Sequence, residues 1–178
     1  ISIAIEKIMD LIESFNKLSD VEEAQKNVEE EMGKAYGEAT AKLIQYKGKL
    51  EDFNGSKKQE KKLVEELNKE FGATLGTYKS VAEWQDVMKK KGEAYIKTLT
   101  LQAKAQALVN ELTAAYGKLA QINFKKTSGE YDSFWNKWFG KSYEAEKVEI
   151  DNLISFITSS LESVDKEIEQ HNKDNKLG

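Results

Sequence analysis

The stretch IDNLISFITSSLESVDKEI, residues 150–168, decides the fold class. Its large apolar residues Ile150, Ile154, Ile157, Leu161, Val164 and Ile168 follow a 4-3-4-3-4 spacing. A helix gathers such positions into one narrow stripe, whereas a strand would alternate every second residue. A stripe this narrow is a coiled-coil seam that needs another helix to cover it. The same pattern opens the chain at Ile1, Ile5, Ile8, Ile12 and Phe15, with Leu11 and Leu18 beside it. Ile at both seam positions favours three or four strands over two. These two seams are the candidate helix–helix interface. They predict terminal helices that meet in a stalk, with each other or with copies from other chains. A heptad already running at residue 1 reads as a segment excised from a longer helical protein. His171 continues the C-terminal spacing, either as a frayed, solvated end or as a polar register device; an expected helix end near Gln170 favours the first.

Composition points the same way. The 178 residues contain no Pro, where average usage would give about nine. Pro interrupts helices, so its absence fits long helices punctuated by Gly alone. Lysine supplies every basic side chain, with 27 Lys against 31 acids. An acidic chain without Arg lacks the residue that best makes bidentate contacts to guanine and phosphate, so no nucleic-acid reading is expected. The absence of Cys excludes disulfides and thiolate sites, and a single His excludes two-His metal motifs. No apolar run approaches the ~18 residues of a membrane span.

Between the seams a second stripe runs Val21, Ala24, Val28, Met32, Ala35, Ala39, Leu43, Tyr46, Leu50, Phe53, predicting a helix of about 33 residues. Ser19-x-x-Glu22 resembles its capping box. Gly33, Gly37 and Gly48 lie inside it, where they weaken it or admit a close neighbour. Asn54-Gly55-Ser56 is a turn. Lys57 to Phe71 returns with Leu63, Leu67 and Phe71 inward. The glycines of the Phe71–Lys79 stretch make it the least helical. Ser80-x-x-Glu83 opens a short helix through Trp84, Val87 and Met88, which Lys91-Gly92 is expected to break. A long helix follows with Leu101, Ala105, Leu108, Leu112, Tyr116 and Leu119 on one face, ending at Thr127-Ser128-Gly129. The last helix runs from about Ser142 to Gln170. The expectation is all-α: one elongated helical bundle of long helices joined by short Gly turns. Its parts are an N-terminal coiled-coil arm over 1–54, a central helical part over 56–126, and an aromatic turn plus C-terminal arm over 130–172.

No motif carries chemistry. Gly140-Lys141-Ser142 mimics the end of a P-loop, but the first glycine of that motif is replaced by Trp135 and no strand precedes it. Glu29-Glu30-Glu31 points around a helix instead of converging on a metal. No catalytic, cofactor-binding or metal-ligating residue is assigned. The exception to this blandness is Tyr131, Phe134, Trp135, Trp138 and Phe139, five aromatics at helical spacing. Core packing under a helix junction is the leading reading, ahead of a docking patch and of a dip into a membrane interface. Trp138-Phe139-Gly140 also matches the W-x-G turn of small secreted helical hairpins, over three residues only.

The middle of the chain resembles something more specific. Leu63-Val-Glu-Glu-Leu-Asn-Lys-Glu-Phe71-Gly-Ala-Thr-Leu-Gly76 is followed by Trp84 to Met88. Then come Lys91-Gly-Glu-Ala-Tyr-Ile96 and the Ala-rich Leu101-Gln-Ala-Lys-Ala-Gln-Ala107, ending near Tyr116. This succession, over about residues 60–125, is similar to a stretch of prophage-encoded tail tape measure proteins of Bacteroidetes type. The resemblance implies a non-enzymatic structural segment that helps template tail assembly and length. Its partners would be copies of itself and other tail proteins. Its location would be the tail-tube lumen of the virion, after host cytoplasm during assembly. A helical interaction or adaptor module, linked to secretion, is the alternative.

Overall fold

The computed structural model describes residues 19–177, with the backbone alone for Phe134, Trp135 and Phe139. The N-terminal seam residues Ile1, Ile5, Ile8, Ile12 and Phe15 lie outside the described residues. Among the described residues the chain is all-α, with no strand. Helix α1 spans Asp20–Glu51, α2 Lys57–Leu75, α3 Val81–Ser128, α4 Phe134–Phe139 and α5 Tyr143–Asn175, with one 3₁₀ turn at Glu130–Asp132.

Capping chemistry sets most of these bounds. Ser19 accepts from the Glu22 amide at 3.2 Å. Ser56 and Gln59 form a complete capping box at the start of α2, satisfying two amide donors that have no partner within the helix. Ser80 accepts from the Glu83 amide, while the Glu83 carboxylate reaches one residue further back, to the Lys79 amide. Ser142 accepts from Ala145 at the head of α5.

Two expectations about glycine need correction. Gly92 does not break a helix: α3 continues through it for 48 residues. Gly92 is buried, and a Cβ there would lie 3.1 Å from Leu43 Cδ2, so its smallness lets α1 and α3 approach. Conversely, among the described residues a Cβ on Gly33, Gly37 or Gly48 would meet nothing within 4 Å, so these admit no close neighbour there. The Phe71–Lys79 stretch is also more helical than expected. Helix α2 runs through Gly72 to Leu75, and the break falls at Gly76, whose φ of 88° and ψ of 178° suit glycine alone.

The chain divides into two compact units, one of Ile1–Glu29 with Ala107–Leu161, the other of Glu30–Gln106 with Glu162–Gly178. In the first, the buried residues are Ala24 and Val28 of α1, Ala107, Leu108, Ala115 and Ile122 of α3, and Ile150, Leu153 and Ile157 of α5. Asn27 donates to Glu111 at 2.9 Å, tying α1 to α3. The expected inward Tyr116 is exposed and Ala115 is buried in its place. Leu108, Ala115 and Ile122 recur every seven residues, and Tyr116 falls one step off that repeat.

The second unit holds the large core: Leu43, Tyr46 and Leu50 of α1, Leu67 and Phe71 of α2, Trp84, Met88 and Tyr95 of α3, with their neighbours. Phe71 is its hub, with ring centroids 5.2 Å from Tyr46, 6.1 Å from Trp84 and 4.9 Å from Tyr95. Pairings fix the directions. Lys42–Glu70 and Lys49–Glu66 make α2 antiparallel to α1. Glu60 with Val81 and Asn68 with Trp84 make α3 parallel to α2.

Candidate functional site

A parallel pair of helices needs a connection that returns the chain to its starting end. Here it is the extended strap Gly76–Ser80, and its anchorage is the most developed polar site of the second unit. Asn68 on α2 donates to the Tyr78 carbonyl at 3.0 Å and accepts from the Tyr78 amide at 2.9 Å. Its Oδ1 also accepts from Trp84 Nε1 at 3.0 Å. The Tyr78 hydroxyl donates to Leu75 O at 2.7 Å, and its ring stands edge-on to Trp84 at 5.0 Å. One amide side chain thus satisfies two backbone groups and a fully buried indole. Sequence reasoning missed Asn68 and Tyr78. The available signal was a short amide beside the Val64, Leu67, Phe71 stripe, where a surface residue would more often be charged.

Near this clamp one carboxylate gathers two donors. Tyr46 donates to Glu66 at 2.9 Å, and Lys49 bonds the same oxygen at 3.1 Å. Burial, and then the Glu66 carboxylate, push the Tyr46 hydroxyl up to about 12. The bond from Tyr46, then that from Lys49, holds Glu66 below the usual carboxylate range. Among the described residues no group of His, Asp or Glu converges to hold a metal ion.

His171 is a correction. It is not a frayed end but a buried residue, because α5 runs on to Asn175. Its Nε2 lies 2.9 Å from Thr98 Oγ1 and 3.1 Å from Ala94 O, and its Nδ1 lies 3.1 Å from Asn175 Nδ2. Elsewhere on α5 the predicted seam is inward, with Ile150, Ile157 and Val164 buried and Ile154, Leu161 and Ile168 half-buried.

In the first unit the aromatic segment is divided into two pieces. Gly129, at φ 81°, ends α3. Tyr131 sits in the 3₁₀ turn, and Ser133 caps α4 by accepting from Asn136 at 3.2 Å. The five aromatics therefore do not share one helix, because Ser133 breaks the run. Asn136 braces the hairpin by donating to Tyr131 O and Lys141 O. Tyr131 is half-buried, donates to Glu146, and meets Tyr143 edge-on at 5.8 Å. Lys126 lies 4.2 Å over the Tyr143 ring. Trp138 is 65% exposed, contrary to the core-packing expectation, and Phe124 is 70% exposed. A shallow depression of about 440 Å³ lined by Tyr131, Asn136 and Glu146 lies in this hairpin. Lys141 and Ser142, the P-loop mimic, are spent on Glu149 and on capping α5.

The arrangement offers helix faces, paired surface charges and an exposed tryptophan at a hairpin. Comparison with family models, with curated proteins and with solved structures finds no match.

Proposed function

We propose that this chain is a structural, non-enzymatic segment of a phage tail tape measure protein, acting through helix packing in the assembling tail and its tube. The observation that carries the reading is where the resemblance falls. Its quoted residues include Leu67, Phe71, Trp84, Met88 and Tyr95, which form the core of one unit, so the likeness rests on a packed helical motif and not on surface composition. The 48-residue α3 supports it as well: at ~1.5 Å per residue such a helix measures about 72 Å, and a ruler is read by helix rise. The partners in this reading are copies of the chain and the tail proteins around it. In-frame deletion of this segment from the parent gene should shorten the tail in proportion to its length. A tail of unchanged length in electron micrographs would refute the ruler role.

A second reading, a helical adaptor module, is favoured by one observation, the exposure of Trp138 at the hairpin. In that reading Trp138→Ala leaves helicity intact and abolishes partner binding. Loss of folding in that variant would count against it.

A further inference from the structure

Among the described residues only two polar side chains are buried, Thr98 and His171, and they are bonded to each other. The Thr98 hydroxyl donates to Ala94 O at 2.8 Å, so its remaining lone pairs are free to accept. His171 Nε2 faces two acceptors, Thr98 Oγ1 and Ala94 O, and therefore carries the proton. Nδ1 accepts from Asn175 Nδ2, whose amide also donates to His171 O. Both ring nitrogens are satisfied. Just beyond, Lys176 adopts φ 52° and the Leu177 amide donates to Asn172 O at 2.9 Å, a closed helix end.

We propose that His171 and Thr98 form a register lock, fixing α5 against α3 and excluding packings shifted by one heptad. The apolar pattern alone discriminates weakly. Buried positions on α5 recur every seven residues at Ile150, Ile157, Val164 and His171. On α3 they recur at Val87, Ala94, Leu101, Leu108, Ala115 and Ile122. A shift of seven residues, about 10.5 Å of helix rise, leaves the apolar spacing of both helices unchanged. It does not preserve the polar pair. One heptad from Thr98 stand Lys91 and Ala105, and neither offers a hydroxyl acceptor to a buried imidazole. The Thr98–Ala94 and His171–Asn175 bonds lie within their own helices and survive a shift, but the buried Nε2–H loses its Thr98 and Ala94 acceptors, a cost the native register avoids. Single polar residues in apolar seams specify register in the same way. The inference is independent of the proposed tail role, and its failure would leave that role untouched.

The chain has no Cys, so Lys97→Cys with Glu167→Cys, both exposed positions, can carry nitroxide labels on the full chain. Electron–electron distance measurement should give one narrow distribution. In the same background His171→Leu with Thr98→Val keeps the volume and removes the polarity. It should retain helicity and acquire a second distance population, because a one-heptad slide moves the two labels about 10.5 Å past each other along the axis. A single unchanged distance would overturn the proposal. Loss of helicity in that variant would overturn it too, because the fold itself, and not the choice of register, would then depend on the pair.

Discussion

Replacing Asn68 by Leu tests whether the strap is held by polar satisfaction or merely by packing. The substitution nearly conserves volume but removes three hydrogen bonds at 2.9–3.0 Å. The Trp84 indole is fully buried, and a buried donor left without an acceptor costs about 1–3 kcal/mol. Tyr78 is half-buried, so its amide and carbonyl can partly rehydrate, at roughly 0.5 kcal/mol each on the scale of a net hydrogen bond. Added apolar burial offsets about 1 kcal/mol, leaving a loss of about 2 kcal/mol. That is a large share of the ~5–15 kcal/mol that holds a domain folded. Urea unfolding followed by circular dichroism reads this loss as a lowered midpoint at constant slope. Asn68→Asp keeps both acceptor bonds but sets an oxygen against the Tyr78 carbonyl in place of the donor, so it too should destabilise. Trp84→Phe removes the indole donor, so it should cost about 1 kcal/mol less in the Asn68→Leu background than in the wild type. A loss below about 0.5 kcal/mol for Asn68→Leu, the scatter of ordinary surface changes, would refute the clamp.

The remaining predictions follow from the same geometry. Gly76→Ala forces a side chain into a region near φ 88° and should destabilise by about 1–3 kcal/mol. Gly33→Ala and Gly37→Ala, whose added Cβ atoms meet nothing within 4 Å, should each stabilise by about 0.5–1 kcal/mol; paired melting curves separate the two classes. Ala115→Leu overfills a position that is 1% exposed and should cost about 1–3 kcal/mol, whereas Tyr116→Ser should stay within about 0.5 kcal/mol; the reverse order would restore Tyr116 to the core. Tyr46 and Tyr131 both hold their protons to about pH 12 in the folded chain, while unfolded tyrosines release theirs near ~10. Their contribution is therefore complete below pH ~10 and is lost as pH rises toward 12, because only the unfolded state sheds protons in that window. Melting temperatures across that range should fall, and less steeply in Tyr46→Phe.

The α1 stripe was legible from Val21 to Leu50, because apolar residues at helical spacing leave a single way to bury one face; Phe53 falls past the helix end at Glu51. The all-α class was legible for the same reason. Asn68 was not, since its three partners sit 10 to 16 residues away and no local pattern reveals which amide a strap will meet. His171 was misread because helix ends are judged from local signals, whereas its hydrogen-bond partner Thr98 stands 73 residues earlier. The exposed Trp138 was misread as core because hydrophobicity ranks a residue without saying whether a neighbour covers it.

The sequence by itself determined the all-α class, the inward face of α1 and the helix starts at Ser19 and Ser80. These are short-range properties, set by side-chain periodicity and by the capping of nearby backbone groups. Only the tertiary structure decided that α2 and α3 run parallel across an extended strap, that Gly92 serves packing instead of a break, and that the two buried polar residues find each other. Those outcomes depend on which faces meet in space. Heptad periodicity permits several such meetings, and steric fit and polar satisfaction then choose one.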